Sequence, residues 1–290
     1  MEKASTHPSR AQIRANAKVN LVLEVGGLRG DGYHEIASVI LPVHFCDSLT
    51  IEASQRDEIA VPHYPELENQ DNLAWQAVEA FRKATGWQQP VSVKIDKHIW
   101  IGAGLGGGSS NAAAALRALK EITGIEIDLS PIAAKIGSDV PAMLFDAPVL
   151  ARGRGEIVQP LANLSVGASF LIAKPKQTSC PTAWAYQVLD RHRPKGSIEG
   201  RAEALAQAIQ SINASAELAE HLYNDFDEAI TKELQDVAEL RDRLYQSGAL
   251  KVVLTGSGSG QIALFDDELK ANRAAESLVD CLTKVARHGN

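Results

Sequence analysis

Residues 101–111 read IGAGLGGGSSN, and the chain is best understood outward from them. Gly102, Gly104, Gly106, Gly107 and Gly108 crowd into seven residues. Glycine loses more conformational freedom on folding than any other residue, so such a run persists where the backbone needs positive φ or close approach. Before it, Val91 to Ile95 reads as a short strand. After it, Ser109 to Thr123 is rich in Ala and Leu and closes at Gly124, a helix with a glycine stop. A glycine loop opening a helix presents free N–H groups and the positive end of the helix dipole, a setting suited to phosphate. Ser109 and Ser110 either cap that helix or donate to the phosphate and touch its magnesium ion.

Three motif classes compete for this loop. Walker A requires Lys before Ser/Thr, and no Lys stands there. The protein-kinase set requires His-Arg-Asp and Asp-Phe-Gly downstream, and neither occurs. Gly102-x-Gly104-x-x-Gly107 does fit the dinucleotide fingerprint, with Glu126 or Asp128 about 20 residues on as the ribose acid. Against it, the loop lies far into the chain, behind a β-rich segment, without a regular βαβ repeat.

Around the loop, Ile13–Val25, His34–Val43 and Ser48–Ala53 read as strands. Asp71 is the expected cap of a helix over 72–85. Ser130, with Pro131 at the first turn, opens another to Ile136. The turn RGRGE (152–156) is followed by a strand over 168–173 and helical stretches near 181–189 and 201–212. One long amphipathic helix is expected over 225–247, stopped by Gly248. Strands over 250–254 and 262–265 flank the loop TGSGSG, and 266–287 reads as helix. Strands precede helices without regular alternation, so the class is α+β. The softest boundary lies at Leu161–Gly167, which divides the chain into 1–165 and 166–290.

The 290 residues suffice for one large domain or two modest ones. The formal charge of −7 argues against a polyanionic partner such as nucleic acid, but not against a small phosphate ligand in a local cleft. Cys46, Cys180 and Cys281 are scattered, without a Cys-x-x-Cys pair, which supports neither a disulfide framework nor a thiolate metal site. The start, MEKASTHPSR, lacks the apolar core of a signal peptide, and no apolar run nears the ~18 residues of a membrane span. The expected setting is the cytoplasm, with no membrane partner. A monomer or weak homodimer is expected.

AKVNLVLEVGGLRGDGYHE (17–35), GAGLGGGSSNAAAAL (102–116) and LTGSGSGQIALF (254–265) follow one another in this order. Together they closely resemble the three motifs of the galactokinase–homoserine kinase–mevalonate kinase–phosphomevalonate kinase (GHMP) superfamily. Within it they resemble the branch that phosphorylates cytidine-diphospho-methylerythritol, in the non-mevalonate isoprenoid route. QDNLAWQA, GSDVPAMLF, GRGEIV and NDF extend the likeness over nearly the whole chain. The glycine loop marks only the superfamily, whereas AKxNL with DGYH marks the branch. The superfamily's Pro before the loop is replaced by Trp100-Ile101, and the often aromatic position after GSDVP by Ala142-Met143.

The resemblance implies a two-domain GHMP kinase fold, with an N-terminal half like the second domain of ribosomal protein S5 and a ferredoxin-like C-terminal half. It implies an active site in the cleft between them. It implies ATP as phosphate donor, with Mg2+ arriving through ATP and no metal site of protein ligands. Lys18 and Asp139 match the catalytic lysine and base. Gly102, Gly104, Leu105, Gly106, Gly107, Gly108, Ser109 and Ser110 match the nucleotide loop, and Asn72 the adenine region. Asn20, which shares a strand face with Lys18, matches the substrate pocket. Tyr33 would stack on the cytosine, and His34 would hydrogen-bond it. Thr182, Gly256, Ser257 and Gly258 would line the substrate side. Arg152 and Arg154 suit an anion but read better as a surface turn. A homoserine or mevalonate kinase, a NAD(P)-dependent oxidoreductase and a nucleotide sensor without catalysis are the competing readings. DGYH speaks against the first, and retained Lys18 and Asp139 against the last.

Overall fold

A computed structural model describes residues 8–166, 168–193 and 196–288. The N-terminal stretch 1–7, and Gly167 at the end of the expected boundary, lie outside the described residues. The chain divides into two compact units. The first contains residues up to 17, 46–99 and 107–146; the second contains 18–45, 100–106 and the chain from 147 on. Two long strands, β1 (Arg10–Leu28) and β2 (His34–Ala53), pass through both. The two strands expected within 34–53 are thus one unbroken strand.

In the first unit the later part of β2 pairs antiparallel with β4 (Val91–Asp96), which pairs in parallel with the short β3 (Glu58–Ala60). Helix α1 (Leu73–Thr85) turns Ala74, Ala77, Val78 and Phe81 into the core. Its N-cap is Asn72, not the expected Asp71: Asn72 Oδ1 accepts from the Ala74 N–H at 2.9 Å, one of the donors a helix start leaves unpaired. Gly86 ends the helix in the left-handed region at φ 75°. Helix α2 begins at Gly107, two residues earlier than expected, and runs to Thr123. Ala112 to Leu116 are wholly buried, because small side chains let α1 pack closely against α2. Helix α3 (Ser130–Ile136) completes this unit.

In the second unit the early part of β2 pairs antiparallel with β5 (Val149–Gly153), which forms a hairpin with β6 (Ile157–Pro160) across the expected RGRGE turn. A separate four-stranded sheet has β7 (Ser169–Pro175) inside it. Helices α4 (Thr182–His192), α5 (Arg201–Ala208) and α6 (Ser215–His221) follow. The two-residue β8 (Tyr223–Asn224) pairs in parallel with Val22–Leu23 of β1.

The long helix expected over 225–247 is two helices, α7 (Phe226–Glu233) and α8 (Gln235–Gln246). Leu234 breaks it with extended backbone, φ −117° and ψ 95°. The cause is tertiary. Ala229, Ile230 and, just past the break, Val237 serve one apolar cluster with Phe226, while Leu240 and Leu244 serve another with Leu171 and Phe265. One straight helix cannot face both.

Strand β9 (Lys251–Leu254) and strand β10 (Gln261–Phe265) pair as a hairpin, and helix α9 (Glu268–Ser277) follows. The helix expected over 266–287 ends there, and β11 (Cys281–Ala286) pairs antiparallel with β7. With β10 on one side, β7 presents a second row of backbone groups, and β11 satisfies it. Among the described residues no helix is long and apolar enough to cross a membrane.

Candidate active site

The glycines of 102–108 divide by role. Gly102, Gly104 and Gly106 hold φ of 65°, 72° and 67°, a region L side chains avoid. A Cβ on Gly104 would lie 1.9 Å from the Thr255 carbonyl oxygen. Gly107 and Gly108 are helical and form the first turn of α2. Leu105 turns its side chain into the core, and its carbonyl accepts from the Lys18 N–H at 3.0 Å, so only its backbone faces the loop's surroundings. Ser110 is buried and donates its hydroxyl proton to the Asn16 carbonyl at 2.7 Å. That proton ties β1 to α2, which leaves Ser109 as the hydroxyl better placed to donate to a ligand.

Lys18 and Asn20 stand on one face of β1, as period two requires, and both are buried. Asn20 is a hub. Its Oδ1 accepts from Lys18 Nζ at 2.6 Å and from the Gly256 N–H at 2.8 Å, and its Nδ2 donates to Ser38 Oγ at 2.8 Å. Ser38 passes its own proton to the Val22 carbonyl. Thr255 Oγ1 donates to the Gly104 carbonyl at 3.2 Å. A Cβ on Gly106 would approach Lys18 Cγ to 2.9 Å. The three motifs therefore meet at Lys18, whose ammonium is aimed by Asn20 over glycine backbone.

Gly256 (φ 57°) and Gly258 (φ 94°) shape the third motif. Asn224 Nδ2 donates to the Leu254 and Gly256 carbonyls. Ser257 Oγ donates to Thr182 Oγ1 at 3.3 Å, so two expected substrate-side residues stand together. Cys180 Sγ donates to the Ser257 carbonyl, and burial pushes this thiol up to about 11.

Tyr33 is 49% exposed at the end of the turn between β1 and β2. The turn is built by Asp31, whose carboxylate accepts from the Tyr33 N–H and is held below its usual range by that bond first. The guanidinium of Arg154 lies 4.9 Å over the Tyr33 ring. The turn arginine thus shares the aromatic face expected for the cytosine. His34 is placed beside Tyr33 with its Nδ1 bonded to the Gly26 carbonyl at 3.0 Å, its Nε2 3.4 Å from Asp190 and its ring stacked on Tyr186 at 4.9 Å. Tyr186 and Asp190 carried no motif in the sequence.

In the first unit, Asp139 is half-buried in the turn Gly137–Pro141, where its carbonyl accepts from the Met143 N–H at 3.2 Å. Asn72 uses both ends of its amide, capping α1 and donating to the Leu67 carbonyl at 2.9 Å. Its side chain is thereby a helix cap. Asp47 lies in no motif of the sequence. Its wholly buried carboxylate accepts from Lys97 Nζ, the His98 and Ile99 N–H groups and Asn111 Nδ2.

The dinucleotide reading fails here. Asp128, a candidate ribose acid, accepts from the Ser130 N–H at the start of α3, and β4 before the loop is paired antiparallel with β2. No group of three or more His, Cys, Asp or Glu suited to a metal occurs among the described residues.

Residues 72–147 match the family GHMP kinases N terminal domain, and residues 200–283 match GHMP kinases C terminal. The 4-diphosphocytidyl-2-C-methyl-D-erythritol kinase of Gloeobacter violaceus is 35% identical over 265 residues, covering 90% of this chain and 87% of its own. That of Porphyromonas gingivalis is 37% identical over 273 residues, covering 92% and 95%. The chain belongs to the family of these kinases.

A solved 4-(cytidine 5'-diphospho)-2C-methyl-D-erythritol kinase superposes with TM-score 0.78 at 29% identity, covering 96% of this chain and all of that one. A homoserine kinase from Cytophaga hutchinsonii superposes with TM-score 0.75 at 16% identity, covering 100% of this chain and 97% of that one, a likeness of fold alone. The fold is accordingly the α+β, two-domain GHMP kinase fold.

Proposed function

We propose that this kinase transfers the γ-phosphate of ATP to the 2-hydroxyl of 4-(cytidine 5'-diphospho)-2-C-methyl-D-erythritol, giving the 2-phosphate and ADP. The observation that carries the reading is the kinship with kinases of that name over nine-tenths of the chain, with AKVN, the glycine loop and TGSGSG assembled around Lys18. Phosphoryl transfer asks the protein chiefly to position and to neutralise. The left-handed glycines and the first turn of α2 offer backbone N–H groups to the phosphates. The residues present fit magnesium bound through ATP, with phosphate and water ligands and Ser109 nearby; the ion would neutralise phosphate charge.

Asp139 accepts the proton of the attacking hydroxyl. The hydroxyl oxygen bonds to the γ-phosphorus as the bond from that phosphorus to the bridging oxygen breaks, and ADP leaves with the electron pair. The Lys18 ammonium, aimed by Asn20, polarises the hydroxyl. Tyr33 stacks on the cytosine, an interaction worth about 1–3 kcal/mol, and Arg154 gives up that face when the base arrives. Thr182 and the 256–258 loop line the remainder of the substrate site. The kinase domains are read as 1–165 and 166–290, a division with which the two family matches, 72–147 and 200–283, are compatible. Scattered free thiols fit a cytoplasmic setting.

The test is incubation with ATP, magnesium and the cytidyl substrate, followed by detection of ADP and a phosphorylated product. Turnover of another alcohol but not this one sinks the substrate assignment. Asp139→Asn is expected to lower kcat about 100-fold or more while ATP still binds; a wild-type kcat removes Asp139 from the mechanism.

A further inference from the structure

Asp47 lies outside all three motifs, yet it is the most heavily used buried carboxylate of the first unit. Its side chain is wholly inaccessible, and that of Lys97 is 7% exposed. One oxygen accepts from two consecutive backbone amides, His98 N–H and Ile99 N–H, each at 2.7 Å. The other accepts from Lys97 Nζ at 2.5 Å and from Asn111 Nδ2 at 2.9 Å. Burying an ion costs several kcal/mol unless its partners are close and complete, so this arrangement is tightly specified.

The partners have something in common. Residues 97–99 are the last before the segment that leads into the glycine loop, and Asn111 is one turn into α2. Gly107, the first residue of α2, sits on the same cluster: a Cβ there would lie 3.0 Å from Lys97 Nζ and 3.0 Å from Ile99 Cγ2. One carboxylate thus holds the backbone ahead of the loop and the start of the helix behind it.

We propose that Asp47 is a positioning residue for the nucleotide: through Lys97, His98–Ile99 and Asn111 it fixes where the first amides of α2 stand, and so how well they receive phosphate. This rests on the reading of the glycine loop as the ATP site. An asparagine at 47 would keep an acceptor for the two amides but set an NH2 group against the Lys97 ammonium. A displacement of about 1 Å at a reacting centre can cost up to about 100-fold, so a shift of the loop is readable in kinetics.

The test compares wild type, Asp47→Asn and Asn111→Ala in steady-state kinetics and in ADP and CDP binding by calorimetry. Asp47→Asn is expected to raise KM for ATP and Kd for ADP about tenfold or more, leaving KM for the cytidyl substrate and Kd for CDP within about twofold. Asn111→Ala removes one of four contacts with a good helix former and should show the same split at about threefold. A merely structural Asp47 would lower Tm and the active fraction without splitting the two ligands. The proposal is overturned if neither variant changes nucleotide affinity, or if both ligands weaken together. Wild type that binds CDP but not ADP overturns the ATP site and the proposal with it. Wild type that binds ADP no better than Asp47→Asn does overturns the proposal alone.

Discussion

Two buried polar hubs, Asn20 in the second unit and Asp47 in the first, are built from different chemistry. In the second unit the hub is a neutral amide, Asn20, which accepts from Lys18 and Gly256 and donates to Ser38. In the first it is a carboxylate, Asp47, which accepts four times, once from Lys97. Each aims an ammonium. An amide orients a cation without itself cancelling its charge, whereas a carboxylate in contact neutralises it. The difference is one of chemistry: a neutral amide orients Lys18 beside the third motif, whereas Lys97 pairs with a carboxylate inside the fold.

That contrast can be broken in graded ways. The largest effect is expected at the meeting of loop and third motif. Gly104→Ala forces a Cβ onto the Thr255 carbonyl in left-handed backbone, and should cost about 3 kcal/mol or more, the upper end of overpacking with backbone strain added. Urea denaturation measures it, and a loss under about 1 kcal/mol would mean that the loop is not packed there. A smaller effect is expected when the neutral hub is given the chemistry of the charged one. Asn20→Asp retains the acceptor for Gly256 but pairs Lys18 with a carboxylate, so kcat should fall about tenfold with a modest change in Tm. An unchanged kcat would show that the neutrality of Asn20 has no part in catalysis.

The smallest effect is one of reactivity. Cys180 lies at the Ser257 carbonyl beside the third motif, and Cys46, half-buried, precedes Asp47. Burial holds the Cys180 thiol at about 11, against an ordinary 9.0. Between those values the native state keeps a proton that the unfolded chain releases, so this thiol's contribution to stability is full below pH 9.0 and is lost as pH rises towards 11. At pH 8 the alkylation of Cys46 should outpace that of Cys180 about tenfold, read by peptide mass mapping. Equal rates would mean that the third motif opens as readily as the β2 segment.

Much of this was legible locally. Period two on β1 put Lys18 and Asn20 on one face, and the crowding of glycine before an Ala-rich run marked loop and helix. Other features could not be read. Nothing near Leu234 announces a helix break, because it answers to two apolar clusters assembled from distant strands. The strand at 281–286 exists because β7 has an open side. The partners of the His34 imidazole, Gly26, Asp190 and Tyr186, lie 8 to 156 positions away along the chain.

By itself the sequence determined the secondary-structure class, the three motifs and their order, and the kinase family they resemble. These are written in short stretches whose periodicity and glycine content act within a few residues. Only the tertiary structure decided which polar groups are occupied. Ser110 gives its proton to Asn16, Asn72 caps its helix, and Asp47 gathers donors from 50 to 64 positions away. The physical reason is that a buried polar group must find its partner wherever the fold brings one, and sequence distance does not enter that requirement.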